Sequence, residues 1–338
     1  MKKKIVTLLI ATTAMLSLVG CGSTYDKYVS MKDYKNMKIT DTNLSQFDYS
    51  DEDVNNSIRS SIINYSPSLI TETNEPINEK SCISFEGTAT NESGEESQFS
   101  LSYKMYSELA EIDGLQDGVL GHKTGDEIDL TFALSSGKLT AHIKITLVAN
   151  DPLNSFTDDW VKEYGNNEDV ETKDDYYKTI ETQVKTNAAA SAKSEKISAI
   201  SEKLMKETEM KKYPDGAVEA ELKVIKAQYA KLEELYNMDI KSNIMTANNL
   251  STDKDYEKYL KTLAEEQVKQ NTIYNNIAEK EKLTPTEDEY TKKLKEYTAE
   301  HKDSYDSVDI IGEDAAKQYI LNTIVEDWLY QNNSVTEK

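Results

Sequence analysis

Asp113 to Phe132 reads DGLQDGVLGHKTGDEIDLTF, and the reading of this stretch decides the fold. Gly114, Gly118, Gly121 and Gly125 fall among short apolar steps, after which Ile128, Leu130 and Phe132 alternate with Asp129 and Thr131. Glycine at this density suits positive φ and close backbone approach. Alternation of period two suits a half-buried strand. The stretch therefore reads as a short helical turn, a tight turn and a strand of a small β domain. It is not a phosphate-binding loop, because Gly137-Lys138-Leu139 lacks both the hydroxyl and the glycine spacing.

The neighbouring sequence extends that domain in both directions. Ile83-x-Phe85, Phe99-x-Leu101-x-Tyr103 and Ala141-x-Ile143-x-Ile145-x-Leu147 all alternate, with a turn signal over Asn91 to Gly94. A small, strongly curved antiparallel sheet of four or five strands is predicted over 78–151. From Pro152 the period becomes helical. Val218, Leu222, Ile225 and Tyr229 keep intervals of three and four, Tyr213-Pro214 is expected to open their helix, and Ser251/Thr252 to cap the next. Thr286 with Glu289 forms a capping-box pattern, and Tyr319, Ile320, Ile324, Trp328 and Leu329 mark a last helix. Residues 152–335 thus read as an extended all-α body. Upstream, Ser50 precedes Val54, Ile58 and Ile62, four apart on one helical face, so 39–77 reads as a lead-in strand and helix. The fold class is α+β, with the strands segregated from the helices.

The first 20 residues form a secretory signal: three lysines, then an apolar run shorter than the roughly 20 residues needed to span a bilayer. Leu18-Val19-Gly20-Cys21 resembles a bacterial lipobox, which implies a lipid on Cys21 and a lipidated tether over 21–38. The expected location is extracytoplasmic, anchored to the cell membrane. With 61 acidic against 39 basic residues, a formal net charge of −22 and Arg59 as the single arginine, the surface excludes nucleic-acid binding. Once Cys21 is acylated, Cys82 has no disulfide partner and reads as a buried strand residue. His122, His142 and His301 stand apart, with no metal-binding spacing and no nucleophile elbow, so neither metal nor cofactor is expected.

Ile112, Gly114, Leu115, Gly118, Gly121, Lys123, Gly125 and Asp126 stand at the places that carry the central signature of FKBP-type peptidyl-prolyl isomerase domains, in the form found in trigger factor. Phe156 to Trp160, the Tyr213-Pro214 start, the helix after Ser251 and Leu283 to Tyr290 follow in the order found in the C-terminal domain of trigger factor and its SurA-like relatives. The resemblance covers roughly residues 34 to 335. It implies a chaperone for unfolded or nascent exported polypeptides, and no counterpart of the ribosome-docking domain is seen, so no ribosome docking is expected.

Isomerising a prolyl bond crosses a barrier of roughly 18–20 kcal/mol and needs no nucleophile, only an apolar pocket and a donor for the twisted carbonyl. The resemblance places Phe85 as the cleft aromatic, the backbone N–H of Ile112 as that donor, Leu115 as the floor and Phe99 as a further wall. Three departures stand against it. The usual Phe-Asp pair is missing, the loop after Phe132 is cut to Ala133–Gly137, and the last strand carries Ala141 or Ile143 in place of an aromatic. Two readings stay open: a working isomerase, or a non-catalytic holdase or structural surface lipoprotein with a degenerate isomerase domain. The 21 tyrosines divide the same way, between core positions and adaptable client contacts.

Overall fold

The computed structural model describes residues 23–41, 44–134, 137–165 and 170–337. The expected signal over 1–20 and Cys21, the residue expected to carry a lipid, lie outside them. In chain order the elements are β1 (Val29–Ser30), β2 (Lys38–Asp41), α1 (Asp51–Tyr65), β3 (Cys82–Asn91), β4 (Glu96–Met105), α2 (Leu115–Val119), β5 (Glu127–Leu134), β6 (Gly137–Ala149), α3 (Asp158–Tyr164) and α4 (Lys173–Glu207). There follow β7 (Glu209–Met210), α5 (Ala217–Tyr236), α6 (Ile240–Ala247), α7 (Asp253–Glu281), α8 (Glu287–Glu300), α9 (Val308–Ile311), α10 (Glu313–Asn332) and β8 (Ser334–Glu337). They form two units: Gln46–Ala192, and the residues up to Ser45 with those from Lys193 onward.

The first unit is built on an antiparallel sheet of order β4-β3-β6-β5. Its period-two pattern turns Phe85, Ala89, Ile128, Leu130, Phe132, Ala141, Ile143 and Ile145 to one face, where Leu115 and Val119 of α2 close over them. Gly114 begins α2 at φ +85, and a Cβ there would stand 2.8 Å from the Thr131 carbonyl oxygen, so glycine is required twice over. Gly87 is required by space alone, since a Cβ would lie 2.0 Å from the carbonyl oxygen of His142 on the paired strand. Phe99, across from Gly87 in register, packs against the rings of Phe85 and Phe132 at 5.4 and 4.7 Å. Cys82 is fully buried, and burial pushes its thiol up to about 12, leaving it protonated and inert.

Helix α1 joins this unit through a second core. Ser50 caps it in a full capping box with Asp53, and Val54, Ile58 and Ile62 pack on Trp160, Val161 and Tyr176. Trp160 and Tyr176 meet edge to face at 5.5 Å, and the Trp160 indole donates to Ser66 Oγ at 2.6 Å. Arg59 sits beside this core. Its guanidinium donates two parallel bonds to Asp151, at 2.9 and 2.8 Å, and a further one to Glu52.

In the second unit α7 packs on α5 with one half and on α10 with the other. Leu260, Ala264 and Val268 meet Val218 and Ile225, whereas Ile273, Tyr274, Ile277 and Ala278 meet Leu321, Val325 and Leu329. A ladder of amides crosses from α7 to α10: Asn322 donates to Asn271 at 2.9 Å, and Asn275 and Gln318 exchange bonds at 3.1 and 3.3 Å. The expected caps at Thr252 and at Thr286 with Glu289 are both formed. Tyr213 and Pro214 precede their helix rather than opening it, because Gly216 at φ +75 turns the chain first.

The stretch expected as a tether is packed over residues 24–38. Val29 and Met37 are buried, β1 pairs antiparallel with β7, and β2 pairs in parallel with β8. The strand of the expected lead-in, β2, therefore lies with the helical unit, and α3 and the start of α4 lie with the sheet. Two-to-four-residue strands leave no periodicity to read, and their partners stand far off in sequence.

Arg59→Ala leaves Asp151 without its bidentate partner and opens space beside the α1 core. It is expected to destabilise the sheet unit by about 2–4 kcal/mol. Urea unfolding followed by Trp160 fluorescence in a Trp328→Phe background checks this, since the two tryptophans lie in different units.

Candidate functional site

The structure brings Phe85, Phe99, Ile112 and Leu115 together in one apolar cluster. β3 supplies Phe85, β4 supplies Phe99, the 3₁₀ turn Tyr106–Glu111 delivers Ile112, and the Gly114 turn aims Leu115 inward. Phe85 is 2% exposed and Leu115 0%, whereas Phe99 and Ile112 are partly buried. Phe132, which the strand pattern identified only as core, stacks on Phe99 with the planes 25° apart. The backbone N–H of Ile112 donates to the Leu109 carbonyl at 3.1 Å, and Leu115 N–H donates to Ile112 at 3.0 Å. In this geometry Phe85 and Leu115 present no surface, and the donor assigned to a substrate carbonyl is spent on closing a turn. The cluster holds the sheet together as part of its core.

The helical unit carries an open cleft of about 500 Å³ between Gln228 of α5, Tyr297 of α8 and Tyr319 and Ile320 of α10. Tyr297 stacks on His301 at 4.2 Å and donates to the Asp306 carbonyl at 2.8 Å, while His301 Nδ1 lies 2.9 Å from Asp306 Oδ1. Gln228 donates to the Tyr319 hydroxyl at 3.3 Å. Burial, and then the Asp306 charge, push the Tyr297 phenol up, so it stays a neutral donor. Burial also pushes Asp306 up, but hydrogen bonds from Ser304 and His301 outweigh it and hold the carboxyl below the usual range. Glu296, Glu300, Asp306 and Asp327 line the cleft with Lys293, so its field is negative. Where α5 gives way to α6, Leu235, Tyr236 and Met238, within four residues of one another, are 43, 64 and 48% exposed. Helical periodicity could not single these three out, since it marks core positions and is silent on an apolar tip.

Residues 172–331 match the family profile described as "Bacterial trigger factor protein (TF) C-terminus". Over this part the chain is similar to trigger factor. Trigger factor of Prochlorococcus marinus (strain MIT 9515) is 27% identical over 240 residues, covering 67% of this chain and 48% of its own length. Trigger factor of Caldicellulosiruptor bescii is 25% identical over 242 residues, 66% of this chain and 53% of its own. The chain spans about half the length of the curated relatives it matches. A solved structure described as "Promiscuous Substrate Recognition in Folding and Assembly Activities of the Trigger Factor Chaperone" aligns over 90% of this chain and 72% of its own, at 16% identity and a TM-score of 0.37.

Leu115→Ala removes a wholly buried side chain from the sheet core and is expected to cost about 2–5 kcal/mol. Urea unfolding by Trp160 fluorescence reads that loss. A variant as stable as the wild type would mean that Leu115 lines an open surface instead.

Proposed function

We propose that this chain is a folding factor that holds unfolded polypeptides on its helical unit. The match to the trigger factor C-terminus over 172–331 carries the reading, because it falls on the part of the chain that exposes an aromatic cleft and an apolar tip. Leu235, Tyr236 and Met238 offer large, adaptable contact area, which suits a surface that accepts many sequences. The acidic lining of the cleft favours apolar segments that carry a lysine or arginine over acidic ones. A surface of net charge −22 would keep the loaded complex soluble.

The lipobox-like end at Cys21 supports the further proposal that the protein works outside the cytoplasm, held to the cell membrane by a lipid, on polypeptides newly exported there. The sheet unit is read as non-catalytic. Its resemblance to FKBP-type domains supports a related fold, but the buried Phe85 and Leu115 and the engaged Ile112 N–H favour a holdase over a prolyl isomerase.

Purified mature protein, added to a refolding protein whose slow phase is limited by proline isomerisation, is expected to suppress turbidity while leaving that phase unchanged. Acceleration of the slow phase, abolished by Leu115→Asp, would restore the isomerase reading. No suppression would overturn the chaperone reading. Leu235→Ser/Tyr236→Ser/Met238→Ser is expected to weaken client binding about tenfold, the loss of one or two interface anchors, with thermal stability unchanged.

A further inference from the structure

Helix α6 buries no residue completely. Its half-buried residues are Ile240, Lys241, Ile244 and Met245, which share one side of the helix, while Ser242, Asn243, Thr246 and Ala247 face solvent. The helix touches α5 and α7. Two turns of helix do not hold themselves in water, so α6 persists by what it leans on. At both ends the chain turns through an asparagine in the left-handed region, Asn237 at φ 49 and Asn249 at φ 53. Asparagine visits that region readily, and a pair of such joints lets the element between them rotate.

Most of the polar bonds of α6 are its own. Asp239 accepts from the backbone N–H and the hydroxyl of Ser242 at 2.8 and 2.7 Å, and Leu250 N–H donates to the Met245 carbonyl at 2.8 Å. One side chain reaches across. Lys241 Nζ stands 2.9 Å from Asp253 Oδ1 at the start of α7, with its ammonium group 5.6 Å from the centre of the Tyr256 ring. Among the described residues this is the single polar side-chain contact from α6 to a neighbouring helix. The carboxylates facing Lys241 are Asp253, Asp239 and Glu257, and Glu257 also bonds Lys226 of α5 at 2.7 Å. One cation thus holds the helix down over a negative edge. An exposed pair of this kind is weak.

We propose that α6 is a displaceable lid on the tip of the helical unit, latched by Lys241 on Asp253, and that an apolar segment of an unfolded polypeptide takes its seat. The inference rests on the reading of the tip as a client surface. α6 itself shows what the seat accepts: Ile240, Ile244 and Met245 beside a cation that lies over Tyr256. A client segment with aliphatic side chains and a neighbouring lysine or arginine meets the same aromatic face and the same carboxylates. Lifting α6 also frees its own half-buried side chains next to Leu235, Tyr236 and Met238, which are exposed already. The apolar patch is therefore small at rest and grows on loading, which limits what the unloaded tip offers to other copies of itself. A client must displace the lid, so its apparent affinity falls by the fraction of molecules in which the lid is open.

Hydrogen exchange of the purified protein, followed by mass spectrometry on peptides covering 238–250 and 260–278, tests the latch. Lys241→Gln and Asp253→Asn are each expected to speed exchange over 240–248 about fivefold and to leave the middle of α7 unchanged, whereas Lys241→Arg keeps the wild-type rate. Reduced, carboxymethylated α-lactalbumin, a permanently unfolded probe, is expected to expose 240–248 on binding and to bind Lys241→Gln about fivefold more tightly than the wild type. Exchange that ignores the latch variants, or a probe that protects 240–248, would overturn the lid. Replacing Ile240–Ala247 by glycine and serine over the same length removes the lid altogether and is expected to tighten binding, with the thermal midpoint unchanged; weaker binding would show that α6 itself holds the client. A probe that binds no form, with exchange still responding to the latch, would keep the lid and sink the holding function; binding without that response would do the reverse.

Discussion

The helical unit depends on the burial of one helix. α7 presents Leu260, Ala264 and Val268 to α5 and then, further along, Ile273, Tyr274, Ile277 and Ala278 to α10 and the end of α4. A fully buried aliphatic side chain stabilises by about 1.5–3 kcal/mol, so no other element holds as much of this unit in place. Small residues set the geometry: Ala264 and Ala278 are wholly buried and let neighbouring backbones approach. The amide ladder of Asn271, Asn275, Gln318 and Asn322 then fixes register, because a slip by one turn would strand several amides unpaired in a half-buried seam. Asn276 shows what such a position costs. Its Nδ2 donates to Asp26, while its buried Oδ1 finds no protein partner among the described residues.

Much of this was legible in the residues. Strands β3 to β6 follow from alternation, and the Ser50, Thr252 and Thr286 caps from single side chains placed before apolar periods. The glycine stretch at 114–125 announced the turn around α2. What escaped is what depends on a partner far along the chain. β1 and β7, and β2 and β8, are too short to show a period, and nothing in Lys38-Ile39-Thr40 points to Ser334-Val335-Thr336. Nothing in the sequence marks Gly87, since the close carbonyl that requires it belongs to the opposite strand. α6, capped by Asp239 over Ile240–Ala247, is too short to carry a clear apolar face.

The candidate site divides along the same line. The resemblance to FKBP-type domains placed Phe85, Phe99, Ile112 and Leu115 near one another, and the fold unites them in one cluster. Whether such a cluster is a cleft or a core turns on solvent exposure and on one backbone hydrogen bond, and neither has a signature in residue order. Tyrosines show the same ambiguity resolved residue by residue. Tyr274 and Tyr176 are packed inside, while Tyr236 and Tyr305 face water at 64 and 40% exposure. Helical spacing describes both groups equally well, because period reports which side of a helix a residue occupies and not what covers that side.

The parallel pairing of β2 with β8 sets a rule for biogenesis. Met37 and Asn333 bond across 296 residues, and the strands they adjoin cannot zip until Ser334–Glu337 has left the machinery that delivers the chain. The sheet unit, by contrast, is drawn from one unbroken segment and has all its partners in hand far earlier. Loop closure over so long a span is entropically expensive and slow. A chain emerging from its N-terminus therefore completes its sheet first, and carries the edge of β2 and the α10-facing half of α7 unsatisfied until the end. A factor whose helical body would hold unfinished chains is, during its own synthesis, an unfinished chain of the same kind.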